Sequence, residues 1–272
     1  MKNRTIQILS LLMTVIIIAG LCACSGRKKD NSKLITNRSV TLSTLSSSST
    51  QTDVSSQQAT APEGQKNIVD YLNGSLTKFH NFDYDFNKNV TTVLNSFSAG
   101  SLGEIEGANE TFASTLKNAC ADMMGAGSLD TSYFVGDDLT EAFPLKAIKE
   151  EDVQSASASA DGGKVTVNIT LKLLSDDGVS TAQLVTNDYV TNTAFNEKIK
   201  EYEASASDTS VKISKVSLSA VIDYATRNFD SLVISLNTDF SAENLSLAYV
   251  KGGPVKGTTT TTVTYNHFTE KR

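Results

Sequence analysis

Tryptophan is absent from this sequence of 272 residues, histidine occurs twice, and cysteine and proline three times each. Each shortage closes a route. A Ser-His-Asp constellation has only His80 and His267 to draw on, and neither lies near a strained Gly-x-Ser-x-Gly turn. No glycine-rich phosphate loop is present. Basic charge is short where a nucleic-acid binder needs it: from Lys66 onward 17 basic residues face 27 acidic ones. A surface of that sign repels a phosphate backbone, so nucleic-acid partners are not expected. Long apolar runs are also scarce, and there is one, at the N-terminus.

That run is Ile6 to Leu21, uncharged and built mostly of Ile, Leu, Val and Met, behind Lys2 and Arg4. As a helix it spans roughly 24 Å, short of a bilayer core of about 30 Å. A basic start, an apolar middle and small residues at the end read as a signal peptide. An uncleaved N-terminal membrane helix is the alternative, and it tethers the rest of the chain as well. The run ends in Leu21-Cys22-Ala23-Cys24, which resembles the lipobox of bacterial lipoproteins. The resemblance covers about the first 26 residues. It implies cleavage before Cys24 and a diacylglyceryl thioether on that residue, hence a lipid anchor at the cell membrane on its extracytoplasmic face. Two acyl chains meet the condition for stable anchoring. With Cys24 lipidated and Cys22 removed, Cys120 is left alone. Neither a disulfide framework nor a zinc site built on two or more thiolates is then expected.

Residues 1–23 are thus assigned to the signal peptide and 24–65 to a tether. Ser25 to Gln65 holds 16 Ser or Thr in 41 residues, with an unbroken run from Ser46 to Thr50. Such a segment buries too little apolar area to offset its ordering entropy. As a flexible coil it spans about 35 Å. Ser39 to Leu45 is the one part with strand-like spacing. Arg27, Lys28 and Lys29 are read as a solvated junction.

Residues 66–272 form the globular part. Ile68, Tyr71, Leu72, Ser75, Leu76 and Phe79 recur every three or four residues and predict a helix over Asn67–His80. Asn81 to Asn87 alternates in the period of a strand. Val90 to Phe97 is read as a short helix, and Ala108 to Met124 as a longer one. In the latter, Phe112, Leu116, Ala119, Cys120 and Met123 share a face, which makes Cys120 a core residue. Pro144 argues against a helix through the mixed segment Leu129–Ile148. Val153 to Leu174 is the clearest hairpin, turning at Asp161-Gly162-Gly163. A helix over Tyr189–Ala204 precedes a meander over Val211–Asp223, Leu232–Leu236, Leu245–Tyr249 and Thr258–Tyr265. Val211 and Ile213 are out of phase with Val216, which predicts a bulge near Ser214. Thr on both faces of the last strand suggests an exposed edge. The expected fold is α+β, a single domain with a curved antiparallel sheet of about six strands and helices packed on one face. At fold level this is similar to lipoprotein-carrier half-barrels and tubular lipid-binding domains, an analogy that no motif supports.

Apparent motifs dissolve on inspection. Asp83-x-Asp85-x-Asn87 imitates the start of a calcium loop, but Lys88 replaces the glycine and Leu94 the glutamate. Ser75-x-x-Lys78 and Ser114-x-x-Lys117 match an acylating pattern whose companion motifs are missing. The acidic clusters at Asp137-Asp138, Glu150–Asp152 and Asp176-Asp177 read as solvated turns. No catalytic residue, cofactor or metal site is therefore expected, and Cys24 is the one assigned site. The expected role is a non-catalytic binding or interaction module displayed at the membrane. Its partner is an apolar ligand held between sheet and helices, or an envelope protein. A structural envelope component and an enzyme of unknown class are the alternatives.

Overall fold

The computed structural model describes residues 59–100, 110–247 and 253–271. The signal peptide, Cys24 and nearly all of the tether lie outside the described residues, as do Ala108 and Tyr249. In order come α1 (Gln65–Asn81), β1 (Asp83–Ser98), α2 (Glu110–Met123) and β2 (Gly127–Tyr133). A single helical turn α3 (Leu139–Ala142) and a 3-10 turn (Glu150–Asp152) lead to the hairpin β3 (Val153–Asp161) and β4 (Lys164–Leu171). Then follow a second single turn α4 (Val179–Ala182), α5 (Asn192–Glu201), β5 (Ala204–Asp223), β6 (Phe229–Leu247) and β7 (Val255–Lys271).

The strands make one open, curved antiparallel sheet of seven, in the order β2-β1-β7-β6-β5-β4-β3. Seven replaces the expected six for three reasons. Leu232–Leu236 and Leu245–Leu247 belong to one strand, β6, because Thr238, Phe240 and Ala242 carry the inward alternation between them. Asp83–Ser98 is a strand throughout, which removes the short helix expected at Val90–Phe97. Gly127–Tyr133 supplies the seventh. The sheet dominates the architecture, and the helices are its cover. The Thr-rich β7 is a central strand between β6 and β1, not an edge. Its Thr259 and Thr261 are buried, and Thr261 shares a hydroxyl hydrogen bond of 2.9 Å with Thr92. Threonine tolerates such a place because its branched side chain suits a pleated surface and its hydroxyl finds a partner across the ladder.

Burial follows alternation. Val165, Val167, Ile169 and Leu171 of β4, Val216 to Ile222 of β5, Leu232 to Leu236 of β6, and Val263 and Tyr265 of β7 face inward. Ile68, Leu72, Leu76 and Phe79 of α1 cover them, together with Phe143, Leu145 and Ile148 from the segment after α3. The Phe79 ring lies 4.3 Å from that of Phe143 and 5.0 Å from that of Tyr84, the spacing at which aromatic pairs add to simple burial. Farther along the same inner face a second cluster forms. Leu116, Cys120 and Met123 of α2 and Phe195 and Ile199 of α5 meet Val211, Phe240, Ala242, Leu245 and Val255 of the sheet. The Thr191 hydroxyl caps α5 by accepting the Ala194 N–H at 3.1 Å. The expected bulge is present as a register shift between Ile213 and Lys215.

Candidate functional site on the open sheet face

The inner face is committed to the two clusters; on the opposite face of the sheet the described residues are exposed or half-buried. Register shows how its residues line up. Ser155, Thr170, Ser217, Ser235, Thr262, Thr91 and Ser128 stand side by side, one from each strand in sheet order. Six strand spacings make this hydroxyl row about 29 Å long. The next row reads Ser157, Asn168, Ser219, Val233, Thr264, Asn89 and Asp130; the third reads Ser159, Thr166, Val221, Ser231, Asn266, Asn87 and Ser132. Asp130 is the one ionised side chain in the three rows, and none is aromatic. A solvated antiparallel face is polar for ordinary reasons. Near-neutrality is the distinctive part, since charge crowds elsewhere on this acidic chain. Near the β2 edge the rows are tied together, Thr91 sharing a bond with Ser128 at 3.1 Å and Asn89 donating to Asp130 at 2.6 Å. A shallow hollow of about 290 Å³ lies over Ser157, Asn168, Ser217, Ser219 and Ser235.

Charge returns at the far end of this face. There Lys212 pairs in register with Asp239, and Asp239 in turn with Thr258, while Ser241 pairs with Lys256. Ser96 and Ser98 of β1 complete the rows beside Thr258 and Lys256. These residues line a hollow of about 550 Å³ together with Phe97, Phe240 and Gly257. Gly257 is required by contact. A Cβ there would lie 2.5 Å from the Ser96 carbonyl oxygen and 2.6 Å from the Phe240 ring. Register shifts in β1 between Leu94 and Ser96 and in β5 between Ile213 and Lys215 flank the hollow. A smaller hollow of about 390 Å³ opens nearby between Gln154, Lys172, Leu173 and Lys215.

The residues singled out from sequence are dispersed. Cys24 lies outside the described residues. Cys120 is fully buried in the second cluster, and burial pushes its thiol up to about 12. Ser75 faces the core and donates to the Tyr71 carbonyl, whereas Lys78 points to the Thr226 carbonyl at 2.8 Å and to Glu270. His80 meets the Leu145 carbonyl oxygen and His267 the amide groups of Asn266 and Asn87, so neither is joined to a carboxylate or a serine. Asp85 is paired with Lys271 at 2.7 Å and accepts the Val135 N–H; the Lys271 bond first, then that N–H, hold its carboxyl below the usual range. Asp137 and Asp177 accept backbone N–H groups within their own turns. Among the described residues no group of three His, Cys, Asp or Glu side chains is placed to hold a metal ion.

One constellation was not read from sequence. Between the two inner clusters Lys88 pairs with Asp188 at 2.7 Å, and the Thr186 hydroxyl donates to the same carboxylate at 2.8 Å. The ammonium sits 5.9 Å from the centre of the Tyr265 ring. In the sequence Lys88 stands out only for replacing the glycine of a calcium loop, and its partner is 100 residues away in a loop. Comparison with protein-family models, curated proteins and solved structures found no match.

Proposed function

We propose that the chain is a lipoprotein, anchored at Cys24 to the extracytoplasmic face of the cell membrane, whose α+β domain serves as a non-catalytic binding module. The lipobox at Leu21–Cys24 carries the reading, because acylation there fixes the compartment and ties the domain to a surface. The hydroxyl-rich tether adds reach, and the free sheet face adds a place for a partner. The reading puts that partner on the outer face. The space between sheet and helices, where an apolar ligand was expected, is taken by Phe79, Phe143, Phe195, Phe240 and their neighbours, all buried.

Two experiments separate the parts. Cys24→Ser in the full chain is expected to release the protein from membranes or leave it uncleaved; unchanged processing and retention would overturn the anchor. Ser235→Arg with Thr262→Arg puts bulk and charge in the middle of the hydroxyl row while leaving the inner face intact. Crosslinking in whole cells is expected to lose its partner bands with that variant, its melting temperature lowered only slightly by the two like charges placed opposite each other. Bands that persist would move the partner off this face.

A further inference from the structure

We propose that the hollow at the far end of the outer face is a binding site for a phosphate ester carried on a small polyol, held between Lys212 and Lys256. The inference deepens the reading above, since it places a ligand on the same face. Three observations converge on it. First, Lys212 and Lys256 make no ion pair or hydrogen bond among the described residues, although each stands beside the same recess. They stem from strands two apart, about 9.5 Å across, so their flexible side chains reach one anion from opposite sides. Lysine is a point-charge phosphate ligand and needs no bidentate geometry. Second, the hydroxyls of Ser98, Ser210 and Ser241 rim the same recess with those of Ser96 and Thr258, which share a hydrogen bond of 2.8 Å with each other; together they offer donors for the oxygens of a phosphate and acceptors for the hydroxyls of a polyol. Third, a volume of about 550 Å³ exceeds what a bare ion needs and falls in the range of small-molecule sites.

The surrounding charge sets limits. Asp239 stands directly opposite Lys212, on the strand between the two lysines but one row away from Lys256, and leaves the recess a net charge of about one positive unit. Asp177 feels Lys212 weakly, as the last of several causes that hold its carboxyl low, the Ser175 hydroxyl being the first. The domain's overall acidity repels anions at long range, so attraction acts only at short distance and is screened by salt. Nucleic acid and long polyanions, which need an extended basic stripe, do not fit this recess.

The test uses the full chain in a non-ionic detergent, with thermal shift and equilibrium dialysis as readouts. The probes are sn-glycerol 3-phosphate, glycerol, and dihexanoyl phosphatidylglycerol below its micelle concentration. The phosphate ester is expected to bind and glycerol is not. Lys212→Met and Lys256→Met are each expected to weaken binding about ten- to a hundredfold, in line with a lost bond to a charged group. Asp239→Asn is expected to tighten it. All three substitutions are on exposed positions and should leave the unliganded melting temperature in place. Equal binding of the free ester and the short-chain lipid assigns the ligand to a soluble or polymer-borne phosphate; tenfold tighter lipid assigns it to a headgroup. Binding that survives both lysine substitutions, weakens with Asp239→Asn, or is matched by glycerol would overturn the site, as would no binding of any probe at tens of millimolar. None of those results touches the anchored reading, which stands or falls on Cys24 and on Ser235 and Thr262.

Discussion

Single residues carry distinct burdens in this molecule. In the Lys88–Asp188 pair the lysine side chain is 7% exposed and the aspartate 24%. Removing one partner leaves the other charged and short of water, and the cost rises with the burial of the survivor. Asp188→Asn, which strands the lysine, is therefore expected to destabilise more than Lys88→Met, by about 3 kcal/mol against about 1–2; denaturant melts of the two variants decide it, and the reverse order would show that the pair is not held in place by burial. Cys120 gives a second test. With its thiol pushed up to about 12 by burial, it should stay unreactive toward a thiol reagent at pH 8 until the domain unfolds. Fast labelling of the native protein would contradict that. Half-buried carboxylates set the acid limit. Asp223 is held below the usual range by the Thr226 hydroxyl first and the Thr226 N–H next, and Asp85 and Glu270 are lowered by Lys271 and Asn228 first. A carboxyl with a depressed folded pKa contributes stability that is present above the unfolded value of about 4 and lost as pH falls through the folded one. The melting temperature should thus drop below about pH 4, and Asp223→Asn should lower it at pH 7 while narrowing the gap between pH 7 and pH 3.

At the scale of elements, what the sequence disclosed was local. The hairpin at Asp161–Gly163 was legible because its strands alternate and its turn glycines sit at φ 53° and 80°. The helices were legible from their three- and four-residue spacing. The false helix at Val90–Phe97 has a physical cause. Val90, Val93, Leu94 and Phe97 fall at helical intervals because Val93 is an apolar residue on the outer face and the bulge between Leu94 and Ser96 turns Phe97 inward. In β1 the even residues Tyr84 to Leu94 turn inward, Val93 is exposed, and Phe97 turns inward after the bulge. The Thr run of β7 was misread as an edge because composition does not say which hydroxyls find partners. Gly257 in that strand supports a direct test. Gly257→Ala meets the Ser96 carbonyl oxygen, a backbone atom that yields poorly, and is expected to cost about 1–3 kcal/mol. A neutral effect in a thermal melt would mean the strands do not approach so closely.

Across the whole molecule, the part sequence could not supply was long-range pairing. β1 joins β7 from 170 residues away, so the meander β3 to β7 is extended by strands that precede it in the chain. Only that closure completes the hydroxyl rows; the members on β4 and β5 were visible as the outward half of alternating strands, whereas Thr91 lay in a segment read as a helix and Ser128 outside any predicted strand. The site was thus half legible: its residue types were in plain sight and its geometry was not. Phe79→Ala tests the packing that makes one face cover and the other free; removing the hub of the aromatic cluster is expected to cost about 3–5 kcal/mol in chemical unfolding. The account as a whole turns on where the domain is held. Its most direct measurement is the mass of the N-terminal peptide of the mature protein isolated from cell membranes. A peptide beginning at Cys24 and heavier by a diacylglyceryl group is the result predicted; an unmodified Cys24, or a mature chain that begins elsewhere, would contradict it.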